Sequence, residues 1–546
     1  MELNSMMRAH LSAVLVVLSI TVSLTAEAVN LSHDATGQVL LYPYYNVNQG
    51  NVTFISVTNT TAVAKAVKVR FREAVGGESV FDFTLYLSPR DVWVGALLQQ
   101  GGAVRLAVPE DTSCTIPDTA TLTATDFSTA RFDSAYVPVY DGILYADDLP
   151  ARLSEGHIEI IELAELPYTN GARDISDAIT HNQTTTPVAP MDCAVAASFN
   201  NSADIGAILD AGNVTTSGVT QAFQSPGGGL MGNAAIFNAS SGIYFPYNAT
   251  ALRAFATNPI WWPQNSEAFT HVEGVATVGE DSAGNAISNY RTADNGSTVP
   301  SAGGTLNRDL PDLSTPSMAE VSADSSAYMA FSHDAASGEQ VINSGSFGGS
   351  VPDAKRDKAL AVSAALAGRE IRGEYITSGD YGTEWVVTFP TKYLHVPDYV
   401  TGVENTSTSP FVAYETVENG QACHNMWFEH WNREEDEYEP VINNWFPIPN
   451  LDLCHNVNII ALNDGSNQYT NVLSSKAVKL GLLLDFSDGW ASIGLEAYVS
   501  ELTVSGAGDP STVIGLPVIG FVAVADMVSG IERGGLFPLH ITADEQ

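Results

Sequence analysis

The stretch Ala66-Val67-Lys68-Val69-Arg70-Phe71-Arg72, followed after Gly76-Gly77 by Phe81-Asp82-Phe83-Thr84-Leu85-Tyr86-Leu87, decides the fold class. In each run apolar side chains fall on every second residue. Successive side chains of an extended strand point to opposite faces, so this period of two predicts strands with one buried face. In the first strand the alternate positions are basic and are expected to face water. The glycine pair supplies a turn and Ser88-Pro89-Arg90-Asp91 a stop, which makes the two runs a hairpin. Val52 to Thr58, closed by Asn59-Thr60-Thr61, adds a third strand, and this spacing predicts an immunoglobulin-like β-sandwich unit.

From Tyr168 to Val351 the chain is richer in Gly, Ser, Asn and Thr. It reads as a loop-rich middle insertion carrying the strand pieces Ala234 to Asn238 and Ile243 to Tyr247. Leu306 to Pro316 holds two prolines and no period, which marks a linker or surface excursion. Pro352-Asp353 opens a helix that Gly368 should close, with the acid suiting the helix dipole. Glu384 to Pro390, Ala477 to Phe486 and Ile514 to Ala525 read as buried strands. The chain is therefore predicted to be mainly β with few short helices. Its units are a leader at 1–28, an N-terminal sandwich-like region at 29–167, the middle region at 168–351, and a C-terminal β-rich region at 352–546. No fixed-period repeat supports a solenoid or propeller.

The leader reading rests on Arg8, the uncharged apolar run Leu11 to Leu24, and Ala26-Glu27-Ala28, which fits a small-x-small cleavage site. Cleavage would leave Val29 first. No cysteine near that site offers a lipid anchor, and no later stretch reads as a membrane helix. The expectation is a secreted or extracytoplasmic protein, periplasmic, cell-surface or extracellular.

Behind such a leader, the four cysteines Cys114, Cys193, Cys423 and Cys454 read as disulfides. Chain order and turn chemistry favour Cys114 with Cys193 and Cys423 with Cys454, among three formal pairings. The repeated triplets Cys423-His424-Asn425 and Cys454-His455-Asn456 offer a zinc alternative, but the spacing is looser than structural zinc uses. The net charge of -39 would repel phosphate backbones, so nucleic acid is not an expected partner. Loss of Glu2, Arg8 and Glu27 with the leader hardly changes that charge.

Catalytic signatures are missing: there is no His-Glu-x-x-His, Gly-x-Ser-x-Gly or Walker loop. Gly227-Gly228-Gly229 lacks the Lys-Ser/Thr of a phosphate loop and reads as a turn or bulge. Ser346 misses the nucleophile-elbow pattern by one position. The acidic run Glu434-Glu435-Asp436-Glu437 is dense enough to hold Ca²⁺, although a solvated loop explains it too and no calcium-loop pattern is present. A pair of its carboxylates could equally serve glycoside hydrolysis, if their separation allows. Trp261-Trp262, and Trp427, Trp431 and Trp445 with His430 near them, are candidates for stacking on sugar rings; core packing is the competing reading. With Trp427, His430, Trp431 and the acids all between Cys423 and Cys454, that closed loop is the first candidate site.

Several strings together resemble a family of uncharacterised exported β-rich proteins of Gram-negative bacteria. They are Gly37-Gln38-Val39-Leu40-Leu41-Tyr42-Pro43-Tyr44-Tyr45, Lys65 to Glu73, Leu85-Tyr86-Leu87-Ser88-Pro89, Trp385 to Lys392, Arg433-Glu434-Glu435 and Gly515 to Phe521. The resemblance implies a shared architecture and bacterial export, and carries no assigned activity. The tryptophans and histidines around Cys423 depart from it.

The leading functional expectation is a secreted or cell-surface structural or interaction protein, self-assembling or binding envelope or matrix material. The alternatives are a carbohydrate-binding or carbohydrate-active protein and a calcium-stabilised adhesin. No cofactor other than Ca²⁺ is expected.

Overall fold

Among the described residues the four largest sheets, antiparallel-rich, stack as two sandwiches, and five two-stranded sheets accompany them. The computed structural model describes residues 29–128, 149–166, 174–198, 223–257, 259–261, 264, 279–280, 286–287, 311–315, 331–333, 340–342, 350–396, 410–411, 415–417, 421–437, 450–463, 471–496, 502–505, 510–526 and 533–542. The leader, Trp262, Ser346 and Trp445 lie outside the described residues.

Sheet I runs in the order Asn30–Leu31, Thr250–Arg253, Val39–Asn46, Glu155–Leu166, Ala64–Glu73, Ser79–Leu87, Cys114–Ile116. Sheet II runs Tyr244–Asn248, Leu230–Asn238, Asn51–Asn59, Val92–Gln100, Ala103–Ala107. The predicted hairpin is present, with Val69 opposite Phe83 and Phe71 opposite Phe81. Val67, Val69, Phe71, Phe83 and Leu85 pack between the sheets on Ile55, Val57, Trp93 and Ile236. Three strands from the middle region, Leu230–Asn238, Tyr244–Asn248 and Thr250–Arg253, lie inside these two sheets.

Lys68, Arg70 and Arg72, expected to face water, are instead buried, at 3%, 0% and 1% exposure. Periodicity reports that a strand has two unlike faces, not that one of them is wet. Here the second face is roofed by segments distant in sequence. Arg70 Nη1 donates to the Pro311 carbonyl (2.8 Å), Arg72 lies over the Tyr393 ring (3.5 Å to the centroid), and Lys68 donates to Gln264 (2.6 Å) and to Asp82. Glu159 pairs with Arg72 (2.9 Å), which holds its carboxyl below the usual range despite burial. The described part of the predicted linker, residues 311–315, is likewise buried, with Leu313 in the core beneath sheet I. A proline-bracketed segment is a surface excursion only when nothing polar in the interior needs its carbonyls.

The predicted helix is Ser350–Ala365, and it ends three residues before Gly368 because Ala367–Gly368 pairs with Leu516–Pro517. Its Val362 and Leu366, just beyond its end, join the core under sheet I. Among the described residues no helix is long and apolar enough to cross a membrane.

Sheet III has the order Glu415–Val417, Gln421–Asn432, Asp488–Gly494, Glu370–Ile376, His540–Thr542, with Asn450–Leu453 also paired to Gln421–Asn432. Sheet IV runs Lys479–Leu483, Val457–Asn463, Tyr381–Thr388, Ile519–Asp526, Arg533–Pro538. Both faces of sheet IV are used. Trp385, Val387, Ile460 and Val522 pack against sheet III, while Val386, Ile459, Phe521 and Ala523 join the core of the first sandwich. Directed hydrogen bonds fix that junction. Thr388 Oγ1 donates to the Pro43 carbonyl (2.6 Å), Asn46 and Asn51 side chains donate to the Leu473 carbonyl (3.0 and 3.1 Å), and Glu155 accepts from the Lys476 backbone (2.9 Å).

Candidate functional site

The strand Gln421–Asn432 sends Met426, Phe428 and His430 inward, at 1%, 2% and 2% exposure, and therefore Trp427, Glu429 and Trp431 outward. Pairing carries the pattern across the sheet. Trp431 stands opposite Trp490 and Trp490 opposite Glu374; Glu429 opposite Ser492 and Ser492 opposite Arg372; Trp427 opposite Gly494 and Gly494 opposite Glu370. The outer face of sheet III is thus a grid with tryptophans at two corners, carboxylates at the other two, and Glu429 between the tryptophans.

Trp431 and Trp490 are stacked, with centroids 4.0 Å apart and planes 11° from parallel. Trp427 is 42% exposed and Trp490 38%. Along the strand, four residues separate Trp427 from Trp431, about 13 Å at the rise of an extended chain. Gly494 places no side chain beside the Trp427 indole. At the other end, a Cβ on Gly489 would come within 1.8 Å of the Trp431 carbonyl, so only glycine allows these strands to approach there. The row between the tryptophans is polar: Ser492 and Arg372 both donate to Glu370. Those two bonds hold the Glu370 carboxyl below its usual range, against the opposing effect of its partial burial.

Disulfides brace the scaffold, and both pairs are those expected, Cys114–Cys193 and Cys423–Cys454. The second joins neighbouring strands one residue beyond the His424–Leu453 pair and so clamps the tryptophan strand at its N-terminal end. Lys392 Nζ, buried beneath, donates to the Cys454 carbonyl (2.8 Å), and burial pushes its pKa down to about 7. Burial, helped by Lys392, pushes His455 down to about 4.

The sequence candidates separate accordingly. Trp427 and Trp431 share the outer face. His430 is on the opposite side of the same strand, between Phe428 and Phe486, and its Nε2 accepts the Asp485 backbone N–H (3.3 Å). Burial lowers its pKa, as suits a neutral core imidazole. Trp261 is 7% exposed, packed on Phe223 (4.5 Å) with its Nε1–H on Tyr86 Oη (3.3 Å), so it is a core residue. Glu434, Glu435, Asp436 and Glu437 are exposed in the turn that follows the strand, which Asn432 Oδ1 organises by accepting from the Glu434 and Asp436 backbones (2.8 and 2.9 Å). Among the described residues, no group of three or more His, Cys, Asp and Glu is placed to hold a metal ion. Trp490, Glu374 and Ser492 were not singled out from sequence. The alternation Trp490-Ala491-Ser492-Ile493 was available as a strand signal, but its pairing partner was not.

Comparison with protein-family models, with curated proteins and with solved structures finds no match for this chain.

Proposed function

We propose that this is an extracytoplasmic interaction protein that holds a glycan of envelope or matrix material on the outer face of sheet III. The observation that carries the reading is the pairing of exposed Trp427 with the stacked Trp431–Trp490 block on one rigid sheet face. An indole presents a flat apolar surface that covers the C–H face of a pyranose, and its edge is polar enough to remain at a wet boundary. Glu429, Glu374 and Arg372 lie in the rows beside the rings and supply acceptors and donors for ring hydroxyls. Two platforms about 13 Å apart suit an oligosaccharide rather than a single sugar. A sheet holds such groups more rigidly than a loop does. The two disulfides are compatible with an oxidising compartment, and the acidic surface argues against nucleic acid as the partner.

A glycan array probed with the purified chain and with Trp427→Ala and Trp490→Ala variants tests this. Binding to an oligosaccharide that both variants weaken at least about tenfold is expected, the scale of a lost aromatic anchor. No glycan bound, or binding that neither variant changes, overturns it.

A further inference from the structure

A second surface stands out on the opposite sandwich. The outward positions of the five strands of sheet II alternate with those that fill the core, and they are almost free of charge. Arg105 is the one charged residue among them, and it is ion-paired with Asp126. Phe54, Tyr244 and Val92 are 40%, 54% and 47% exposed, and Phe237 lies 6.4 Å from Phe54. On a chain with a net charge of -39, a flat and nearly neutral face bearing exposed aromatics is an exception to the composition of the whole.

We infer that this face of sheet II is where two copies of the chain associate. Charge selects the occupant. A cationic protein would seek carboxylates and an anionic lipid surface would seek bases, and the Arg105–Asp126 pair that this face carries is spent on itself. A second copy brings the same nearly uncharged face, and there two strongly acidic molecules meet without unpaired carboxylates opposed. The area suffices. Five strands about 4.8 Å apart, three of nine residues and two of five, give roughly 600 Å² per copy, so two faces bury about 1,200 Å², at the lower end of specific interfaces. The contact is isologous, sheet on sheet, with Phe54 and Tyr244 contributing to both sides. It lies on a different sandwich from the tryptophan face and does not depend on the glycan reading.

Sedimentation equilibrium of the purified chain over a concentration series, at low and at high salt, tests the inference. A reversible dimer is expected, and salt should tighten it by screening the repulsion between the acidic bodies. Phe54→Glu and, separately, Tyr244→Glu should each weaken the dimer at least about tenfold, because each places an unpaired carboxylate in the contact. Both positions are exposed in the single chain, so circular dichroism of the two variants should match the parent. A chain that stays monomeric at every concentration and salt, or a dimer that neither variant weakens, overturns it.

Discussion

Tyr247 of the first sandwich stacks on Phe521 of the second, with ring centroids 5.0 Å apart and planes 26° from parallel. Both rings are buried, and the Tyr247 hydroxyl donates to the Tyr44 carbonyl. One face of sheet IV therefore belongs to the core of the first sandwich, while its other face packs on sheet III. Phe521→Ala should cost about 3–5 kcal/mol, the usual range for truncating a buried phenylalanine. Denaturant unfolding of the parent chain, followed by circular dichroism and by tryptophan fluorescence, should give coincident transitions. Two well-separated transitions would show that the junction does not couple the halves.

Trp490→Ala and His430→Ala should behave oppositely although the residues belong to neighbouring strands. The first removes an outward ring, so glycan affinity should fall at least about tenfold while stability moves little. The second opens a hole among Phe428, Tyr375 and Phe486, so stability should fall by about 2–4 kcal/mol with affinity retained in the folded fraction. Thermal melts paired with binding isotherms separate the two effects.

Replacing Cys423 and Cys454 together by serine should destabilise the chain by about 3–4 kcal/mol, the loop-entropy value for a separation of 31 residues. Glycan affinity should fall as well, because the tryptophan strand loses its clamp. Stability unchanged in a urea titration would mean that the hydrogen bonds from Lys392 hold that end without the disulfide.

Lys65 Nζ reaches Glu162 (2.7 Å) and Glu165 (2.9 Å), and Glu162 also accepts from the Gly227 and Gly228 backbones (3.1 and 2.7 Å). Burial pushes the Glu162 carboxyl up to about 7 against these favourable contacts. Lys65→Met should cost about 3–5 kcal/mol, since it strands a buried carboxylate. Lys65→Met combined with Glu162→Gln should cost less than the sum of the single changes, and a double-mutant cycle measures the difference.

Acid should weaken the fold through His455. Its pKa in the folded chain is about 4, below the ordinary 6.5, so the unfolded chain takes up the proton first as pH falls. The stabilisation is complete above pH 6.5 and is lost as pH falls from there through about 4. Because His455 keeps part of its surface in water, about 2 kcal/mol is expected rather than the full value of the shift. In His455→Asn, the dependence of stability on pH between 6.5 and 4 should be shallower by up to one proton. An unchanged slope would place the acid sensitivity elsewhere.

The hairpin and the sheet IV strands Tyr381–Thr388 and Ile519–Asp526 were legible in the sequence because a run of apolar residues is a local property. Ala477 to Phe486 also reads as buried, but its strand Lys479–Leu483 is an edge of sheet IV with Leu483 65% exposed, because no further strand covers it there. The destination of each face was not local. Lys68, Arg70 and Arg72 looked solvated because their roof comes from residues near 264, 311 and 393. The three-glycine segment has Gly228 and Gly229 at positive φ, and the anion that its backbone cradles is the chain's own Glu162. Half of the candidate face was visible in Trp427 and Trp431. The rest depended on which strand pairs with Gln421–Asn432, and register between strands about 60 residues apart has no signature in a single sequence. His430 was grouped with its neighbours by proximity in the chain, whereas alternation along a strand sends adjacent residues to opposite sides.

The late arrival of Leu230–Asn238 beside Asn51–Asn59 also sets a timetable. Synthesis runs from the N-terminus at about 5–20 residues per second, so the inner edge of Asn51–Asn59 waits roughly 10–40 s for its partner. During that interval an uncapped strand bearing Phe54 invites wrong partners. A chaperone that shields the nascent chain until residue 253 has emerged should therefore raise the yield of folded protein.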